Sequence, residues 1–449
     1  MAKNKKIKVG FISLGCPKNQ IDIERMLNMV DEEGSFEITS EDYEADVIII
    51  NTCAFIESAK QESIENILDV AWLKENRSLK SIIVTGCLAE RYREQIFTQL
   101  PEVDAVVGVG SCTEIVRAIK ATLKGKRFSS FEDKNTSELG GDRILTTPFY
   151  SAYLKIAEGC DNRCTYCAIP DIRGRFRSRP MEEIIEEAKK LEASGVKELN
   201  IVAQDTTRYG LDLYGDYKLA ELVHKISEET SFPWIRLMYC YPDKITDERI
   251  EEFKTNKKLV KYIDLPIQHI SDRMLKRMNR HGGSDTIKEA IAKLRSVDGM
   301  VIRTTVIVGF PGETEEDFEE LCKFIKDTKF DKFGAFTYSR EEDTPAYDFP
   351  DQIYEQVKQD RYDIIMREQQ TVLDELNEKK VGKLITVIVE GYDPDNKIFF
   401  GRCPTDAPEI DSKVYFTGAK QLRIGSFVNV RVSECMDYDY YGELLGDIN

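Results

Sequence analysis

Histidine is almost missing: His224, His269 and His281 are the three in 449 residues. They are scattered, with neither a metal-ligand spacing nor a nucleophile–base arrangement, so a histidine-centred site finds no support. Positive charge is also short. Lys and Arg number 63 against 80 Asp and Glu, a formal charge of −17. That balance argues against wholesale nucleic-acid binding and leaves room only for a local basic patch. No run approaches the roughly 20 uninterrupted apolar residues of a membrane span, so no membrane partner is expected. The opening MAKNKKIKVGFISLG has a basic tip but lacks an apolar signal core with a cleavage site. A cytoplasmic location and reduced thiols are therefore expected. Internal repeats and low-complexity tracts are lacking too. What remains is globular in composition, 41 % hydrophobic and 32 % charged, and longer than one core usually serves.

The hydrophobic pattern divides the chain into units over 5–122, 146–376 and 379–447, with a linker over 123–145 that is rich in Gly, Ser, Thr and charge. In the first unit, short β-branched runs (Lys8–Leu14, Asp46–Asn51, Ser81–Thr85, Asp104–Val109) alternate with helical stretches such as Glu57–Leu73. This predicts an α/β fold with an open parallel sheet. The second unit repeats a strand–helix alternation six times, with strands expected at Tyr150–Ala157, Glu198–Ala203, Trp234–Cys240, Tyr262–Ile267, Val301–Val308 and Phe333–Tyr338. That is the pattern of a partial (β/α) barrel, with chemistry at the carboxyl ends of its strands. A polar helix from Ile353 to about Lys380 follows, and then strands broken by Gly, Pro and Asp turns, the pattern of a small all-β barrel.

Cysteine is the surplus: 11 residues. Cys160, Cys164 and Cys167 form CxxxCxxC just after the first barrel strand. Three soft thiolates on one tight loop can face a common metal centre. A structural zinc site would want a fourth nearby Cys or His, and none follows closely. A 4Fe–4S cluster with three protein ligands keeps one iron open for a substrate. Cys16, Cys53 and Cys87 each sit within two residues of the carboxyl end of a predicted parallel strand. Ligands bind along that edge of open α/β sheets, so the three thiols can converge across long sequence gaps. Small buried cysteines in strands are the competing reading. Cys112 also follows a strand and is a doubtful fourth ligand, while Cys240, Cys322, Cys403 and Cys435 have no metal spacing. Arg173, Arg175, Arg177 and Arg179 (IRGRFRSR) are either a solvated strand face or a docking element beside the second triad. The glycines Gly309 and Gly312 in VIVGFPGET would let backbone approach a ligand.

The CxxxCxxC triad with Tyr166 before its last cysteine resembles the radical S-adenosylmethionine superfamily. Two three-cysteine sets with a carboxyl-terminal β-barrel resemble its methylthiotransferases over essentially the whole chain, and the barrel resembles their TRAM domain. LGCPKNQIDIE, NTCAFIESA, TGCLAERY, AYLKIAEGCDNRCTYCAIPDIRGRFRSRP and AQDTTRYG look like the RimO branch, which modifies an aspartate of ribosomal protein S-twelve. The resemblance implies two 4Fe–4S clusters, one on Cys16, Cys53 and Cys87 and one on Cys160, Cys164 and Cys167. It also implies S-adenosylmethionine as substrate and radical source, and a flavodoxin-like or other one-electron reductant. Tyr166, Gly309, Gly312, Gln268 and Arg303 are the expected cofactor contacts. The rival is a tRNA adenosine methylthiotransferase with the same chemistry. Residues 381–449 hold seven Lys or Arg against eleven Asp or Glu, a net −4, which disfavours stable nucleic-acid binding there. The acidic loop Asp406–Asp411 is expected to face a basic protein partner.

Overall fold

The protein is described by a computed structural model that covers residues 6–418 and 421–447. Lys5, the first residue of the first expected unit, and positions 419–420 of the last lie outside the described residues.

Six parallel strands build the first sheet: β1 (Ile7–Ser13), β2 (Phe36–Thr39), β3 (Val47–Thr52), β4 (Ser81–Gly86), β5 (Ala105–Val107) and β6 (Phe128–Ser130), in the order β2-β1-β3-β4-β5-β6. VIIINT and SIIVTG are buried at every position. Helices cover both faces of a parallel sheet, which is why its central strands read as continuous apolar runs. β2 and β6 escape that pattern because they are short, half-exposed edges. β6 lies inside the stretch expected to be linker and pairs in parallel with β5.

The second sheet contains β7 (Ser151–Lys155), β10 (Glu198–Val202), β11 (Trp234–Leu237), β12 (Leu259–Asp264), β13 (Val301–Val308) and β14 (Lys332–Thr337). Its order, β14-β13-β12-β11-β10-β7, leaves β7 and β14 as open edges, so the barrel is partial. A separate two-stranded ribbon, β8 (Ala157–Glu158) against β9 (Arg177–Ser178), brackets the CxxxCxxC loop and clamps its two ends together. β11 stops at Leu237, short of the expected Cys240. Tyr239 stands at φ 58°, a left-handed conformation in which a strand cannot continue, and its amide donates to Asp264 Oδ2 at 3.1 Å. The helix Glu315–Thr328 starts at a reciprocal capping box between Thr314 and Asp317.

The last five strands, β15 (Leu384–Asp393), β16 (Ile398–Arg402), β17 (Val414–Thr417), β18 (Phe427–Met436) and β19 (Asp439–Asp447), close into a barrel. Val387, Val389, Val414, Phe416, Val428 and Val430 fill it. Buried ion pairs fasten it to the partial barrel. Arg402 Nη2 reaches Glu198 Oε2 at 2.6 Å, and Lys332 Nζ reaches Asp406 Oδ1 at 2.7 Å. Tyr262 donates to Asp411 Oδ2 at 2.7 Å. This corrects the reading of the Asp406–Asp411 loop. Two of its carboxylates turn inward to neutralise barrel cations and donors, so they do not present negative charge to a partner.

Candidate active site at the barrel mouth

The CxxxCxxC loop is fixed by its own backbone and by the segment 277–279, where Met278 O accepts from Thr165 N at 3.0 Å and Asn279 Nδ2 donates to Arg163 O at 2.9 Å. Cys160 N donates to Gly174 O at 3.1 Å and Cys167 N to Cys164 O at 3.0 Å. Gly159, at φ 78°, is obligatory, because a Cβ there would stand 2.0 Å from Arg175 O. Cys164 is buried, with its sulfur 3.7 Å from Tyr241 Oη, while Cys160 and Cys167 are half-buried. Arg280 lies over the Tyr241 ring at 3.9 Å and brings a cation to this triad. Burial pushes the Cys160 thiol up to about 12 and raises Cys167 as well. Loading a metal group there therefore releases protons.

The first triad is assembled by topology. Cys16 follows β1, Cys53 follows β3 and Cys87 follows β4, all at the same edge of three adjacent strands. Asn19 ties them together: its Nδ2 donates to Leu14 O and to Thr52 O, each at 2.9 Å, while Asn51 Nδ2 donates to Asn19 O at 2.6 Å. Gly15 (φ 90°) lets this turn lie against Cys53, whose Cβ would be 2.9 Å from an added Cβ. The thiols lie near enough to act on one another: Cys16 and Cys53 both oppose ionisation of Cys87. Burial pushes Cys87 up to about 12 and raises Cys53. At Cys16 burial is outweighed by the cations Lys18 and Arg173, and the thiol is lowered.

Among the described residues no three His, Cys, Asp or Glu side chains close around a point where a single ion would sit. A cubane asks for a wider set, since each thiolate binds a different iron. Three soft donors at each place, buried or half-buried and opposing one another's ionisation, have the chemistry for such a group.

One buried network joins the two cysteine loops. Lys155 Nζ bridges Asp22 Oδ1 (2.6 Å) and Glu158 Oε2 (2.7 Å). Arg173 Nη1 donates to the same two carboxylates, at 2.6 Å to Asp22 and 3.3 Å to Glu158. Its Nη2 donates to Asn19 Oδ1 and lies 3.7 Å from Cys87 Sγ. The other arginines of IRGRFRSR divide. Arg177 donates to Ser137 O, Arg179 to Lys155 O, and Arg175 is exposed. The run is thus mostly an internal fastening; a solvated face describes Arg175 alone.

Of the expected cofactor contacts, Tyr166 packs edge-on against Phe310 at 6.5 Å and so joins the cysteine loop to the Gly-rich turn. Gln268 (φ 69°) bridges β13 through its backbone. Arg303 is held by Asp264 at 2.8 Å and by Asp411 at 3.4 Å, on the side facing the closed barrel. The room left by Gly309 is taken by Lys358, whose Cγ would be 2.4 Å from a Cβ, and that left by Gly312 by Arg277. Cys112 donates to Val109 O at 3.3 Å and lines a cavity of about 290 Å³ with Asp22, Lys155 and Glu158, behind the network. Sequence reasoning missed Glu313 and His269. Glu313 accepts from Gly309 N (2.7 Å) and Arg361 Nη1 (2.6 Å). His269 Nδ1 accepts from the amides of Ile270 and Ser271, so its Nε2 carries the proton and donates to Glu313 at 3.1 Å. A glutamate directly after the Gly-rich turn was the available signal.

Residues 154–325 match the Radical SAM superfamily, 8–108 the uncharacterized protein family UPF0004 and 381–445 the TRAM domain. Among solved structures, the radical S-adenosylmethionine methyltransferase TsrM from Kitasatospora setae has the same general fold. It aligns at TM-score 0.55 and 14 % identity over 76 % of this chain and 77 % of its own. Fold and site together define a three-part radical S-adenosylmethionine enzyme. Proteins named ribosomal protein uS12 methylthiotransferase RimO are similar along nearly the whole chain. The one from Desulforamulus reducens is 48 % identical, covering 97 % of this chain and 99 % of that one. That from Caldanaerobacter subterraneus subsp. tengcongensis is 51 % identical at the same coverage, and that from Clostridioides difficile 48 % over 98 % and 100 %. The chain belongs to the uS12 methylthiotransferase RimO family.

Proposed function

We propose that this chain adds a methylthio group to the β-carbon of an aspartate in ribosomal protein uS12. In this reading Cys160, Cys164 and Cys167 hold one 4Fe–4S cluster, and Cys16, Cys53 and Cys87 hold a second. The chemistry such a cluster would supply is one-electron cleavage of the 5′ C–S bond of S-adenosylmethionine, which releases methionine and a 5′-deoxyadenosyl radical able to take hydrogen from an unactivated carbon. An unactivated C–H bond offers no acidic proton, so the shortage of histidine costs the reaction nothing. The protein's task is positioning and exclusion of water. Tyr166, Phe310, Tyr338 and Phe349 form a packed aromatic wall beside the cysteine loop. Glu313 holds the Gly-rich turn in shape by accepting from its backbone. Of the residues expected to meet S-adenosylmethionine, Tyr166 and Gln268 keep that assignment, while Lys358 and Arg277 fill the room at Gly309 and Gly312 and Arg303 is committed to Asp264 and Asp411.

The observation that carries the reading is the buried network that touches Cys87 on one side and leads through Glu158 to the Cys160 loop on the other. Two thiol sets tied so closely suit a reaction in which a radical made at one is used beside the other. A flavodoxin-like or other one-electron carrier is the assigned reductant, and the cytoplasm the assigned location. Among the described residues no helix is long and apolar enough to cross a membrane. The test is anaerobic. Reconstituted protein, dithionite and S-adenosylmethionine are incubated with uS12 or with tRNA, and the products are weighed by mass spectrometry. A methylthio gain on the uS12 aspartate is expected; modification of tRNA alone overturns the substrate assignment.

A further inference from the structure

The joint between the cysteine loops has an electrical direction. Asp22, Glu158, Lys155 and Arg173 are all buried, and their formal charges cancel. The positions do not. The guanidinium stands at the end that meets Asn19 Oδ1 and Cys87 Sγ, whereas the carboxylate of Glu158 stands two residues ahead of Cys160 in the chain. Arg173 is 2 % exposed, and a guanidinium keeps its charge at any working pH. Out of water, a fixed charge acts strongly on what it touches. Three of its contacts are hydrogen bonds to carboxylate or amide oxygens and hold it in place, and the fourth points to a sulfur.

We infer that Arg173 is a positioning residue that raises the reduction potential of a cluster on Cys16, Cys53 and Cys87, by placing a cation and an N–H donor against Cys87 Sγ. This rests on the two-cluster reading above. Adding one electron makes a thiolate-bound cluster more negative, so a cation in contact with a ligand sulfur stabilises the reduced form. Hydrogen bonds to cluster sulfurs act in the same direction. The same geometry places the negative end of the network toward the other loop, so the effect is specific to the first triad.

The experiment isolates each cluster. The Cys160→Ala/Cys164→Ala/Cys167→Ala chain, reconstituted anaerobically, leaves the first triad, and the matching replacement of Cys16, Cys53 and Cys87 leaves the second. Each is titrated with dithionite or a titanium(III) chelate while the reduced cluster is followed by electron paramagnetic resonance. In the first background Arg173→Met is expected to lower the reduced-to-oxidised ratio at fixed potential about tenfold, equivalent to ~59 mV for one electron. Arg173→Lys should recover part of that loss, and Arg175→Ala, exposed two residues along, should leave the ratio unchanged. In the second background Arg173→Met should change the ratio less than about threefold, below ~30 mV. Arg173→Met leaves Lys155 as the one cation against two buried carboxylates, so Arg173→Met/Asp22→Asn is measured as well to separate lost folding from lost charge. An unchanged potential in variants that keep their iron, or equal shifts of both clusters, overturns the role of Arg173. Iron missing from the first background with Arg173 intact overturns the two-cluster reading itself.

Discussion

The two cysteine triads are built in opposite ways. Cys160, Cys164 and Cys167 share one loop, pinched at its base by β8 and β9 and held by backbone bonds to itself, its flanks and Met278 and by the Asn279 side chain. Cys16, Cys53 and Cys87 come from three separate turns, brought to one edge by parallel pairing of β1, β3 and β4. Their turns are tied across the strands by one side chain, Asn19, whereas at the loop triad Asn279 Nδ2 donates to Arg163 O (2.9 Å) and Asn162 O (3.5 Å), two carbonyls of a single segment. Their surroundings differ as well. The loop triad lies among aromatic rings with Arg280 over Tyr241, while the strand-end triad is flanked by Lys18 and Arg173. Each triad has an asparagine brace, but the one at the strand ends must join turns that lie far apart in the chain.

Removing one thiol from each should break the comparison most sharply. Cys164→Ala is expected to abolish cleavage of S-adenosylmethionine, at least about 10³-fold or over ~4 kcal/mol of barrier. The readout is 5′-deoxyadenosine by chromatography after dithionite reduction. Cys53→Ala should leave that cleavage within about threefold, under ~0.7 kcal/mol, while the methylthio gain on uS12 disappears from the mass spectrum. If Cys53→Ala also stops cleavage, the triads do not have separable tasks.

Both triads were legible in the sequence, for different physical reasons. CxxxCxxC is local, so spacing alone announces it. The strand-end cysteines could be read because parallel sheets put ligand sites at the carboxyl edge, so position relative to a strand substitutes for proximity in the chain. The supports were harder to see. Arg173 looked like one of four equivalent arginines, and only the fold shows that it is buried against Asp22 and Glu158 while Arg175 is exposed. Asp406 and Asp411 looked like a surface for a basic partner because composition cannot tell an exposed carboxylate from one paired to Lys332 or Tyr262. β2 and β6 carried too little periodicity to register. Long-range pairing of charges is what a single sequence hides best.

A joint remote from both triads serves as the control. Glu198 is fully buried between Arg402 and Arg236, and although burial alone would raise it, the two guanidiniums hold its carboxyl down to about 2. The folded value lies below the unfolded one near ~4.3, so the stabilisation is fully present above that pH and is lost as pH falls toward 2. On the order of 3 kcal/mol is at stake. Thermal unfolding of the iron-free chain between pH 5 and pH 2.5 should show this loss, and Glu198→Gln should remove that part of the pH dependence. A Glu198→Gln curve as steep as the parent's would place the acid sensitivity elsewhere, including in the network around Arg173.

The brace itself gives the finest test. Asn19→Ala leaves the carbonyls of Leu14 and Thr52 without their shared donor and removes an acceptor from Arg173. The buried Thr52 carbonyl left unpaired costs about 1–3 kcal/mol, and the half-buried Leu14 carbonyl less because water can reach it. The loss should fall on the first domain and leave the CxxxCxxC loop as it was. Iron bound to the chain that keeps only Cys16, Cys53 and Cys87 should drop by more than half on Asn19→Ala, while iron in the chain that keeps only the loop triad stays level. Asn19→Asp retains the acceptor for Arg173 but not the donor, so it separates alignment of the strand ends from anchoring of the guanidinium. Equal iron loss in both backgrounds would mean that Asn19 supports the domain as a whole, and the claim that strand-end thiols need their own brace would fail.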